Sequence, residues 1–165
     1  MARNFAVAVL VALALAGCGM SPAKKKSSGA APVTCKATDA KEIAGLFDRW
    51  NRSLQTGDPH AVVANYAARS ILLPTVSNKP RVTAAEKEDY FEHFLHDRPS
   101  GTIDFSFVDI GCNSALDAGL YTFVFAKTGA KVAARYTFTY AWDGKQWLIT
   151  SHHSSKMPEG ATAAK

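Results

Sequence analysis

Apolar residues recur along this chain first at helical spacing and then at strand spacing. Ile43, Leu46, Phe47, Trp50 and Leu54 form one stripe at a 3.6-residue period, and Asp39 with Glu42 three residues on makes a capping box ahead of it. Gly57 ends this first helix. Asp58-Pro59 opens a second, because proline tolerates the first helical turn, and Val62, Val63 and Tyr66 form its inner side. Ser70–Pro74, with Ile71, Leu72 and Leu73, predicts a short strand. Thr83-Ala84-Ala85-Glu86 is a capping box for a third helix with Tyr90, Phe91, Phe94 and Leu95 facing inward; Pro99 and Gly101 stop it.

From Thr102 the period changes to two. Ile103, Phe105 and Phe107 alternate with Asp104, Ser106 and Val108. Leu116–Ala126, Lys131–Trp142 and Gln146–Ser154 predict three more long strands. Asp143-Gly144 is a hairpin signal, since a tight turn of that hand needs positive φ, and Gly129 turns the preceding pair. Helices first and strands afterwards predict an α+β domain. Long antiparallel strands curl. The three helices then pack inside a bent sheet and leave a cone-shaped cavity.

The N-terminus reads as an address rather than as part of this fold. Met1–Arg3 is basic, and Phe5–Leu15 is an unbroken apolar run. As a helix that run spans about 16 Å, too short for a bilayer and right for a signal-peptide core. Leu15-Ala16-Gly17-Cys18 then resembles a bacterial lipobox, in which Cys18 is lipidated and becomes the new N-terminus. With Gly19 next, the expectation is a cell-envelope protein anchored in the outer membrane and facing the periplasm. The predicted organisation is a signal peptide over 1–17, a lipidated cysteine and flexible tether over 18–37, the domain over 38–158 and a disordered tail over 159–165.

Charge changes the picture less than the net +5 suggests. Between Cys35 and Met157 there are 14 Lys and Arg against 13 Asp and Glu. The folded part has no basic field, which argues against nucleic acid as a partner. Cys35 and Cys112 remain after Cys18 is set aside. An even pair in an oxidising compartment predicts a disulfide, with two buried free thiols as the alternative.

Leu46-Phe47-Asp48-Arg49-Trp50-Asn51-Arg52-Ser53-Leu54-Gln55-Thr56-Gly57-Asp58-Pro59 resembles the opening helix of nuclear-transport-factor-2-like domains, where a helix ends in a Gly-Asp turn. Phe105–Asn113, Ala134-Arg135-Tyr136-Thr137-Phe138 and Trp147–Ser155 narrow the resemblance to the association (hub) domain of calcium/calmodulin-dependent protein kinase II, in a bacterial stand-alone form. That resemblance implies a cystatin-like cone and self-association as a dimer or larger. It also implies a pocket of the kind in which hub domains bind small carboxylates through an arginine. No kinase signature and no nucleotide fingerprint is present, and no cofactor is implied.

Candidate ligand-binding residues are Arg135, His153, Tyr66, Tyr90, Phe94, Phe105 and Tyr121, for a small carboxylate or aromatic ligand. Adjacent strand residues point to opposite faces, so one of His152 and His153 faces the cone; the resemblance favours His153. On the concave side Arg135 would offer a fork to a carboxylate; the alternative is a structural pair with Asp104 or Asp109. Tyr136, Phe138 and Tyr140 then turn outward, where with Val124 they would bury against another subunit. If the cavity is catalytic, as in an isomerase, dehydratase or cyclase, His153 is the candidate base and Tyr121 or Tyr90 the donor to a developing oxyanion. His93 and His96 lack a third ligand at helical spacing, so no metal is expected there.

Overall fold

The computed structural model describes residues 33–75 and 77–158. The predicted signal peptide, the Cys18 lipidation site and the C-terminal tail from residue 159 on lie outside the described residues. Three helices come first: α1 (Ala40–Leu54), α2 (Pro59–Val63) and, after strand β1 (Tyr66–Leu73), α3 (Ala84–Leu95). Four long strands follow: β2 (Pro99–Gly111), β3 (Ser114–Phe125), β4 (Lys131–Trp142) and β5 (Trp147–Lys156). The sheet order is β1-β5-β4-β3-β2. Only β1 runs parallel to its neighbour β5; the other pairs are antiparallel. The architecture is α+β, with the helices gathered on one face of the sheet.

Local signals set the helix starts. The Asp39 carboxylate accepts from the Glu42 amide at 2.7 Å, and Thr83 with Glu86 forms a reciprocal capping box. Such caps satisfy amides that the first helical turn leaves free. Aromatic rings carry the contact between α1 and the sheet. Phe47 meets Tyr121, Tyr136 and Phe138, while Trp50 meets Phe123, Phe138 and His152.

Several expectations need correcting. β1 begins at Tyr66, which belongs to the strand and not to α2. Pro99 and Gly101 lie inside β2 rather than merely ending a helix. Proline is tolerated as the first residue of an edge strand. At Gly101 an added Cβ would come within 2.9 Å of the Phe47 ring, so only glycine lets α1 approach this closely.

The larger correction concerns which face points inward. On β4, Ala134, Tyr136, Phe138 and Tyr140 are buried and Arg135 is exposed. The aromatics turn in because the apolar face of α1 must be covered. Phe138 and Tyr140 therefore cannot form an outer contact surface. On β2 a bulge between Ile103 and Phe105 breaks the alternation. Ile103 packs on the core, whereas Phe105 and Phe107 turn outward. A bulge adds one residue to one strand and so reverses the faces beyond it. Gly119 lies opposite, where a Cβ would collide with the Phe105 carbonyl.

A Cys35–Cys112 disulfide joins the segment before α1 to the β2–β3 turn, across 77 residues of chain. Closing a loop of this length stabilises by about 4 kcal/mol in the chain-entropy view. Asn113, in the same turn at φ 58°, accepts from the Lys36 amide and donates to the Thr34 carbonyl. The last residues of the expected tether are thus fixed against the domain.

Candidate functional site

The helices do not fill the concave face completely. A cavity of about 290 Å³ remains between α3, the residues that follow β1, and β3–β5. Its walls are apolar and aromatic: Trp50, Leu72, Phe91, Phe94, Phe123, Phe125 and Val132. Tyr90, Tyr121, Thr75, Ser154, His152 and Asp97 supply the polar atoms. A few polar groups set in an apolar hollow are the usual composition of a small-molecule site. A larger groove of about 640 Å³ runs between α2 and α3 past His60, Glu88, Asp89 and Glu92. It is an open acidic surface holding an exposed His60–Glu88 contact, and it does not enclose a ligand.

β5 aims alternate residues at the cavity. His152 stands opposite Phe138, and Ser154 opposite Tyr136. The Tyr121 hydroxyl donates to Ser154 Oγ at 2.5 Å, and Ser154 in turn shares a hydrogen bond with the Thr75 hydroxyl. Tyr66 OH and His152 Nδ1 are 2.8 Å apart. The His152 ring stacks on Phe138 with centroids 4.1 Å apart, and Trp50 meets it edge-on. Its Nε2 has no hydrogen-bond partner among the described residues.

Burial sets the protonation states. It holds His152 down at about 3, with the neighbouring His153 adding a smaller effect, so the imidazole is neutral at physiological pH. Burial pushes Tyr90 up to about 12, against an opposing pull from Arg81. It drives the Tyr121 hydroxyl well above its ordinary range, although the Ser154 hydrogen bond works the other way. The cavity therefore presents neutral hydroxyls and a neutral imidazole, with the Asp97 side chain as an acceptor elsewhere in its lining. The hydroxyls and the imidazole hold acceptor oxygens well and exchange protons poorly near neutral pH.

The candidates from sequence separate into three groups. Tyr90, Phe94 and Tyr121 line the cavity. Tyr66 is buried behind it, in contact with His152. Arg135, His153 and Phe105 are exposed on the outer side of the sheet. The arginine fork and the His153 base are thus corrected: neither side chain reaches the hollow, because the β4 aromatics and the β5 residues facing them take the inside. Arg135 has no ion pair with Asp104 or Asp109 either; Asp104 accepts instead from Thr122. His152, Ser154 and Thr75 were not singled out as ligand residues from sequence. The available signal was the aromatic alternation of β4, which has to meet the Phe47–Trp50 stripe and thereby dictates the β5 face opposite. His93 Nδ1 donates to the Asp89 carbonyl of its own helix. Among the described residues no group of three His, Cys, Asp or Glu is placed to hold a metal.

Known proteins bear on this geometry. A solved calcium/calmodulin-dependent protein kinase II association domain proposed from Xanthomonas campestris is 46% identical to this chain. It aligns over 79% of this chain and 100% of its own, with a TM-score of 0.71. A nuclear-transport-factor-2-like protein with a cystatin-like fold from Novosphingobium aromaticivorans aligns at 14% identity over 76% of this chain and 86% of its own, TM-score 0.62. A cyanobacterial iota-carbonic anhydrase, solved with bicarbonate, aligns at 17% identity over 79% of this chain and 99% of its own, TM-score 0.67. At such identities the last two establish the cystatin-like fold alone. No curated protein matches the chain in sequence. The model of the calcium/calmodulin dependent protein kinase II association domain matches residues 39–158, which span every helix and strand described above, and the chain belongs to that family.

Proposed function

We propose that this protein is a self-associating module whose cavity binds a small, acceptor-rich molecule, of the size and chemistry of bicarbonate or a short carboxylate. One observation carries the reading: the Tyr121–Ser154–Thr75 hydroxyl chain and the unpartnered His152 Nε2 surround one enclosed hollow. Polar atoms buried without partners are costly, and a ligand with several acceptor oxygens relieves that cost. Self-association fits the family. It also fits the outer sheet face, where Phe105, Phe107 and Val124 stand 57%, 60% and 39% exposed. The lipobox at Cys18 supports a lipid-anchored, envelope location for the assembly. The described residues include no helix long and apolar enough to cross a membrane.

The test is titration of the full chain with sodium bicarbonate and with formate, followed by NMR. Shifts confined to cavity residues, and at least a tenfold affinity loss in Ser154→Ala, are expected. Saturating ligand with no shift at His152 or Tyr121 would overturn the reading. For assembly, sedimentation should show a dimer or larger that weakens in Phe107→Glu; a monomer at all concentrations refutes that half.

A second reading is catalysis in the same cavity. Solved proteins of this fold include a carbonic anhydrase with bicarbonate and a proposed dehydratase, so hydration of carbon dioxide joins the isomerase, dehydratase and cyclase chemistries as a candidate. A stopped-flow hydration assay decides it. A rate above background that His152→Ala abolishes supports the enzyme, and a background rate leaves binding alone.

A further inference from the structure

We propose that Tyr66, backed by Lys87, is a positioning residue that locks His152 in the tautomer carrying its hydrogen on Nε2, so that the cavity meets a donor there. The proposal rests on the reading of this cavity as a ligand site.

Tyr66 is 7% exposed and His152 4% exposed, so water is not an ample alternative partner for either. The one hydrogen bond of the Tyr66 hydroxyl among the described residues is the contact with His152 Nδ1. A neutral imidazole has one N–H and one lone pair. Suppose the hydrogen sat on Nδ1. The Tyr66 O–H would then have no acceptor and Nε2 would hold a lone pair with no donor, leaving two orphaned buried groups. With the hydrogen on Nε2, Tyr66 donates to Nδ1 and only the Nε2–H is left over. Each unmet buried group is costly, so the second arrangement wins. That leftover donor belongs to a residue lining the cavity, as does Trp50, whose Nε1–H also has no partner among the described residues.

Lys87 strengthens the arrangement from behind. It is 1% exposed, and its ammonium is held by the carbonyls of Ser70 at 3.1 Å, Val82 at 3.2 Å and Thr83 at 3.5 Å. Three carbonyls match the three hydrogens of a charged ammonium. No carboxylate pairs with it among the described residues. It lies 5.8 Å from the centre of the Tyr66 ring. A cation over a phenol ring draws electron density from it and makes the O–H a better donor. Lysine, tyrosine and histidine then form a polarised line ending in the Nε2–H. The hydroxyl chain ends the same way: Tyr121 donates to Ser154, which leaves the Ser154 hydrogen for Thr75 and the Thr75 hydrogen for a ligand. Two donors therefore border the cavity, and each selects an acceptor at its own point.

The experiment uses the full chain with nitrogen-15 histidine. Two-bond proton–nitrogen spectra report the tautomer of each ring, and His152→Gln identifies the signal. We expect wild type to show a single Nε2–H form at pH 7. In Tyr66→Phe that form should give way to a mixture, and bicarbonate affinity should fall about tenfold with the circular dichroism spectrum unchanged. Lys87→Met should lower bicarbonate affinity about threefold while keeping the tautomer. An Nδ1–H form in wild type, or a folded Tyr66→Phe protein that keeps wild-type tautomer and affinity, overturns the proposal. If Tyr66→Phe fails to fold, the wild-type spectrum still decides. An Nε2–H wild type that binds no bicarbonate supports the positioning role and sinks the ligand reading instead.

Discussion

His152 and Asp117 lie on the same concave face, on either side of Phe138, and their surroundings differ. Asp117, 1% exposed, accepts from the hydroxyls of Ser106 at 2.6 Å and Tyr136 at 2.9 Å in a packed part of the cone. Both hydrogens go to its Oδ1, and its Oδ2 has no hydrogen-bond partner among the described residues. His152 has one protein partner, and its second nitrogen is left over beside a 290 Å³ hollow. Burial shifts each group towards its neutral form: the histidine is pushed down, the aspartate up, with its two hydrogen bonds opposing the rise. Buried polarity alone does not mark a binding site. Both groups carry an unmet atom, and the distinguishing feature is the empty volume that only His152 borders.

The comparison can be broken at its shared element. Phe138 is 0% exposed, stacks on His152 and pairs across the sheet with Asp117. Phe138→Ala should cost about 3–5 kcal/mol and loosen both halves, as urea unfolding would show. A loss below 1 kcal/mol would mean that the halves do not depend on this ring.

The next largest effect is acid sensitivity from His152. Its folded pKa, about 3, lies below the unfolded value of 6.5. Below pH 6.5 the unfolded chain takes up the proton first. Stability is therefore full above pH 6.5 and is lost as pH falls towards 3. The loss between pH 6.5 and 4.5 should be about 2–3 kcal/mol. Unfolding midpoints across that range should flatten in His152→Gln relative to wild type.

Asp117 should give the smallest effect, with the opposite sign. Its folded pKa is raised, so its contribution is favourable below the unfolded carboxylate pKa and is lost as pH rises through the folded value. Asp117→Asn keeps an acceptor for Ser106 and Tyr136 without a charge. It should stabilise the protein at pH 8 and leave stability at pH 3 unchanged. Equal destabilisation at both pH values would show that the fold does not raise the pKa of this carboxyl.

Some elements were readable before any fold was known. The caps at Asp39 and Thr83 depend on neighbours within four residues, and both helices start where those signals stand. The turn at Asp143-Gly144 was equally local, and Gly144 adopts φ 98°. The pairing of Cys35 with Cys112 followed from there being no other partner. Alternation along β4 correctly sorted Arg135, Thr137 and Thr139 from Tyr136, Phe138 and Tyr140, yet it could not say which set faces in. Reading Arg135 as the inward one misplaced Phe138 and Tyr140, and the resemblance pointed to His153, which lies on the exposed side. On β2 the error was of another kind, since a bulge at Ile103–Phe105 adds a residue that periodicity does not register.

The sequence by itself determined the helices, the strand segments, the disulfide partners and the family, because each depends on short-range spacing or on the identity of a few residues. Only the tertiary structure decided the inward face of each strand, the hollow beside α3, and the meeting of Thr75, Tyr121, His152 and Ser154. Those outcomes depend on which distant surface must be covered. The Phe47–Trp50 stripe of α1 draws the β4 aromatics inward, and strand pairing then carries His152 in with them while leaving His153 in solvent.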